Sequence, residues 1–141
     1  MPATRRFLLG LVVISLTAAA HADEGSLPPE RSQGSVTYVS GGIGKDESDA
    51  MKRAASRYSL SVEMSSPAGP RAEYVADVKI DVRDQRGVTV LSTTSDGPIL
   101  LANLPPGRYT INAAKDGKSQ QRNIVVGSGA RPRVKFSFPV E

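Results

Sequence analysis

The sequence predicts a mainly β protein: an antiparallel sandwich of about seven strands carrying one α-helix on its N-terminal side. Three observations lead there. From residue 58 onward, alternating apolar segments recur roughly every 8–12 residues with turn residues between them. An apolar run, 99–104, enters Pro105-Pro106-Gly107 and re-emerges as a second alternating segment through Tyr109, Ile111 and Ala113, as two strands joined by a tight turn would. Only one segment, 46–58, carries a helical period.

Taken in order, residues 1–22 read as a secretory signal. Arg5 and Arg6 form a basic start, 7–16 an apolar stretch too short to span a bilayer, and Ala20-His21-Ala22 a small-x-small cleavage pattern. Cleavage between Ala22 and Asp23 is expected. No Cys follows the apolar stretch to accept a lipid, so the destination is the periplasm or the exterior, with no transmembrane segment in the mature chain. Residues 23–34, rich in Pro, Glu, Ser and Gly, read as a disordered leader.

Residues 35–58 hold a short strand (35–40), a Gly-rich turn (Gly41, Gly42, Gly44) and the helix. Met51, Ala54, Ala55 and Tyr58 share one helix face. Asp46, Glu47 and Asp49 lead it and Lys52, Arg53 and Arg57 follow, an order that complements the helix dipole. Its apolar face is narrow and small, suited to close packing on a sheet.

Residues 59–141 form the sandwich domain. Leu60, Val62 and Met64 share one side of a strand, and a Pro/Gly loop follows at 65–71. Over 74–83, Ala76, Val78, Ile80 and Val82 are expected inward, with Asp77, Lys79, Asp81 and Arg83 outward. Strands at 88–93 and 99–101 come next, then one at 109–114 that turns at Asp116-Gly117, a two-residue hairpin signal, into 121–126. A last strand, 133–140, points Val134, Phe136, Phe138 and Val140 inward and Arg133, Lys135 and Ser137 outward.

The segments Val78-Lys-Ile-Asp-Val82, Arg86-Gly87, Thr94-Ser-Asp-Gly97, Leu104-Pro-Pro-Gly-Arg-Tyr109 and 113–126 carry a resemblance. Over 74–140 the chain resembles the carboxypeptidase regulatory-like family, a prealbumin-like or transthyretin-like sandwich. Tyr38-Val-Ser-Gly-Gly-Ile-Gly44 with its acidic helix start also resembles a set of small exported bacterial proteins sharing that sandwich. The resemblance implies a non-catalytic module of carbohydrate-binding-like fold. Transthyretin-like hydrolases of this fold rely on histidines and a C-terminal Tyr-Arg-Gly-Ser, whereas this chain ends Phe138-Pro-Val-Glu141.

Composition narrows the chemistry. The chain has no Cys and no Trp, and its one His, His21, leaves with the signal. The remaining 119 residues hold sixteen basic and fourteen acidic groups, a net of +2 against +4 for the whole chain. Imidazole- or thiol-based catalysis and ordinary His- or Cys-ligated metal sites are excluded from them, and no cofactor is expected. No Ser-x-x-Lys occurs. Asp77 and Asp81 on one extended strand would stand roughly 13 Å apart, beyond the reach of a glycosidase pair. Gly42-Ile-Gly44-Lys45 lacks the flanking Gly and Ser/Thr of a phosphate loop, and Asp46 and Glu47 would repel a phosphate; a hinge is the better reading. Asp96-Gly97 and Asp116-Gly117 read as turns rather than calcium loops. Tyr109 is expected to bond backbone as a corner tyrosine.

What remains is binding. Tyr38 and Tyr74 are the aromatic rings available as a sugar platform. Arg133 and Lys135, with Arg122 on a neighbouring strand, could meet anionic envelope glycan or lipid. The expected function is a non-enzymatic, exported binding or interaction module of the cell envelope whose partner is a protein. A carbohydrate-binding module is the alternative, and a hydrolase using carboxylates alone the second. Nucleic acid is not an expected partner.

Overall fold

The computed structural model describes residues 27–66 and 73–139. The expected signal and its Ala22/Asp23 cleavage site lie outside the described residues, as do most of the 65–71 loop and Val140. The chain is mainly β, with strands in two sheets facing one another across a shared apolar core.

The first sheet runs in the order β1 (Arg31–Gln33), β2 (Val36–Gly41), β7 (Ile99–Asn103), β3 (Leu60–Ser66), β10 (Arg133–Ser137), with β4 (Glu73–Tyr74) paired to the far end of β3. The second runs β6 (Thr89–Thr94), β5 (Lys79–Asp84), β8 (Gly107–Lys115), β9 (Lys118–Val126). Alternation decides which side chains meet. Leu60, Val62, Met64, Val134, Phe136 and Phe138 from the first sheet are buried with Ile80, Val82, Leu91, Ile111 and Ala113 from the second. The Asp116-Gly117 hairpin forms as its residues require, both at positive φ (51° and 78°). Tyr109 takes its corner role and donates its hydroxyl to the Pro105 carbonyl at 2.5 Å.

Several expectations are corrected. Among the described residues ten strands are seen where about seven were expected, the added ones being short pairings such as β1 and β4 that escape the sequence pattern. The sheets are not wholly antiparallel, since β10 runs parallel to β3. Residues 31–33 of the supposed leader form β1, turned back on β2 through Gly34 at φ 54°. The alternation over 74–83 is two strands in different sheets, β4 pairing β3 and β5 pairing β6 and β8. Asp77 at φ 60° breaks it, so Val75 is buried where Ala76 was expected. Buried Ser95 holds this crossing. Its Oγ accepts the Val78 N–H (3.1 Å), its N–H donates to the Val78 carbonyl (2.8 Å), and its carbonyl accepts the Asp77 N–H (2.8 Å).

The helix α1 (Lys45–Ala54), continued by a 3₁₀ turn at Ala55–Arg57, lies on the outer face of the first sheet. Met51, Ala54 and Tyr58 pack there on Val39, Ile99 and Leu101, a second and smaller core. β2 and β7 are therefore buried on both faces, which accounts for the unbroken apolar run of 99–102. The Tyr58 hydroxyl donates to Glu30 at 2.8 Å and ties the N-terminal segment across this layer.

Candidate functional site

Because α1 covers only β2 and β7, the outer face of β3 and β10 is left open beside it. A groove of about 200 Å³ runs there. Met51, Ala55 and Ile99 form its apolar floor, Ser61 and Glu63 stand on β3, and Lys52, Arg133 and Lys135 rim it. A shallower recess of about 120 Å³ continues past the 3₁₀ turn to Ser56, Arg131 and Pro132.

Strand geometry places these groups. In β10, Val134 and Phe136 fill the inter-sheet core, so Arg133 and Lys135 must project to the opposite face. The parallel register sets Lys135 opposite Glu63, where their charged ends approach to 3.9 Å. Such an exposed pair contributes about 0–1 kcal/mol and leaves Lys135 available to another anion. Arg131 and Arg133 make no hydrogen bond or ion pair with any described residue. Four cations thus face one carboxylate around an apolar floor. Among the lining residues Glu63 has no second acid to share proton transfer with, so the chemistry on offer is attraction of an anionic group.

The residues singled out from sequence separate here. Arg133 and Lys135 stand together in the groove. Tyr38 does not present a ring: it is 5% exposed, packed between the sheets, and its hydroxyl accepts a long bond (3.4 Å) from Gln33. The expectation of an exposed Tyr38 is corrected, because β2 has no free face. The Tyr74 backbone pairs with Ser65 in β4, and its side chain lies outside the described residues. Arg122 is not a neighbour of Arg133 and Lys135. It belongs to β9 in the other sheet, with its guanidinium over the Phe136 ring, 5.3 Å from the centre. Lys52, Ser61 and Glu63 were missed. Their only sequence signal was a helix's polar side and the outward positions of a strand.

The glycine loop has a structural occupant. Glu47 reaches back from the first turn of α1 and its Oε1 accepts the Gly42 N–H at 2.8 Å, a capping-box-like arrangement. The donor a phosphate would need is already taken, by a group of phosphate's own charge. Asp96 donates its N–H to Ser40 Oγ and pairs with Arg31 at 2.9 Å. The described residues contain no group of three or more His, Cys, Asp and Glu side chains able to hold a metal ion, and no helix long and apolar enough to cross a membrane.

Electrostatics elsewhere is modest. Burial, and then the bond to Glu30, pushes the Tyr58 phenol up to about 12. The Asp84 carboxylate accepts the N–H groups of Val88 and Arg86 in the β5–β6 turn, which lowers its pKa.

A scan of protein-family models finds no match to the chain, and a search of curated proteins finds no similar sequence.

Proposed function

We propose that this chain is a non-enzymatic binding module, exported to the cell envelope and built on a carboxypeptidase regulatory-like sandwich, that engages a protein partner through the groove between α1 and β10. The observation that carries the reading is the concentration of Lys52, Arg131, Arg133 and Lys135 around an apolar floor at an edge strand. A surface that pairs apolar contact area with unspent charge suits recognition of another macromolecule. Export rests on the signal-like residues 1–22, and the family on the motifs between 78 and 126.

The alternatives have less to draw on. A sugar platform retains only Tyr74, and a carboxylate hydrolase has only Glu63 in the groove. Co-precipitation of the tagged chain with an envelope extract, paired with a glycan array, tests the reading. Retention of a protein that elutes with rising salt is the expected result. Binding to glycans with no protein retained would overturn it.

A further inference from the structure

Among the described residues β10 is an edge strand, and its outward side is chemically specific. The parallel pairing with β3 uses the backbone groups of alternate residues: Pro132 O accepts Ser61 N–H (3.1 Å), and Phe138 N–H donates to Ser65 O (2.8 Å). That phase directs the N–H and C=O groups of Arg133, Lys135 and Ser137 away from the sheet. One of them is already occupied, since Gln120 of β9 donates its amide to Ser137 O at 2.6 Å. The Arg133–Lys135 portion has no such cover among the described residues. At the opposite edge of the sandwich, Gln33 of β1 bonds both the N–H (2.9 Å) and the carbonyl (2.8 Å) of Ser92 on β6 through its side-chain amide. Each edge thus carries one glutamine clamp, at Ser92 and at Ser137, and the Arg133–Lys135 stretch beyond the second is the exposed part, of the kind that invites pairing.

We propose, resting on the interaction reading above, that the Arg133–Lys135 edge of β10 takes up an extended acidic peptide segment of a partner as an added strand. Main-chain bonds to Arg133 and Lys135 would supply the pairing. Carboxylates at alternate peptide positions would fall on the same outer face as the Arg133 and Lys135 side chains, with Lys52 and Arg131 at the margins of the groove. Charge selects this occupant. A second copy of the chain pairing through the same edge would bring Arg133 and Lys135 against themselves, and like charges directly opposite are destabilising. Glu63 approaches Lys135 from the β3 side at 3.9 Å, so the outer face of β10 already accommodates one carboxylate, and an added strand would bring others from the free side.

The test uses the full mature chain and a fluorescein-labelled octapeptide of alternating Thr and Glu, read by fluorescence anisotropy. A second peptide of the same sequence is N-methylated at alternate residues, in two phases, to remove its strand donors. The expected result is saturable binding that weakens roughly tenfold or more in Arg133→Glu/Lys135→Glu, and equally with one N-methylated phase. Arg108→Glu, on the outer face of the other sheet, should leave binding unchanged and shows that charge reversal as such is tolerated. Equal binding of both methylated peptides overturns strand addition. Absence of peptide binding, or binding only to vesicles containing anionic phospholipid, overturns the acidic-peptide assignment. The interaction reading is decided separately. If the double variant loses envelope protein that wild type retains while both methylated peptides bind equally, the inference falls and the reading stands; if wild type retains none, or both retain it equally, the reading itself falls.

Discussion

Replacing Met51 by Ala should release α1 without unfolding the sandwich. Met51 is 0% exposed and sits among Val39, Ala54, Tyr58, Ile99 and Leu101, a cluster separate from the core between the sheets. Truncating a buried Met to Ala costs about 2–5 kcal/mol, transfer and cavity terms together. The helix is ten residues long and its N-cap, Gly44, has no side chain to bond the first turn, so it depends on this docking rather than on intrinsic helicity. Two kilocalories is about a thirtyfold increase in the population with the helix undocked, since about 1.4 kcal/mol is a factor of ten. Amide hydrogen exchange followed by mass spectrometry or NMR reads this directly. Amides of 45–57 should exchange at least about thirtyfold faster, while those of β5 and β8 keep most of their protection. An equal loss of protection in β5 and β8 would show that helix and sandwich form one cooperative unit, and the two-cluster reasoning would be wrong. Unchanged exchange in the helix would refute it equally.

Two further outcomes follow from single bonds. Ser95→Ala leaves the buried Val78 N–H without its acceptor at the crossing between sheets, a loss of about 1–3 kcal/mol in urea unfolding; an unchanged midpoint would mean that the crossing has another anchor. Tyr58 holds its proton more tightly in the folded state, with a pKa near 12 against an ordinary 10. Above pH 10 the unfolded chain ionises first, so its contribution is complete below pH 10 and disappears as pH rises toward 12. Urea midpoints of wild type and Tyr58→Phe measured from pH 9 to 12 should converge over that interval. Parallel curves would exclude the linkage.

The parts of the fold legible in the sequence were those encoded locally. The alternation of 133–138 announced which side chains face in, and the spacing of Met51, Ala54 and Tyr58 announced the helix's buried face. The Asp116-Gly117 turn needed only two residues to declare itself. What failed depended on distant pairing or on one backbone angle. Asp77 at positive φ looks, in sequence, like any outward residue of a strand, yet it divides 74–83 between two sheets. Tyr38 read as an exposed ring because nothing local says that β2 lies under both the helix and the opposite sheet. The groove was half legible. Arg133 and Lys135 were visible as outward cations, but Glu63 and Lys52 join them only through the parallel β3–β10 register and the placement of α1, neither of which leaves a local trace.

The proposed meeting place with a partner is the β10 edge and the groove beside it. Backbone chemical-shift mapping of the ¹⁵N-labelled mature chain, titrated with the alternating Thr/Glu octapeptide, tests it most directly. Shifts should concentrate at residues 131–137, with smaller ones at Lys52, Ser61 and Glu63, and little change on the outer face of β5, β8 and β9. Shifts centred on that other sheet, or spread evenly over the surface, would contradict it.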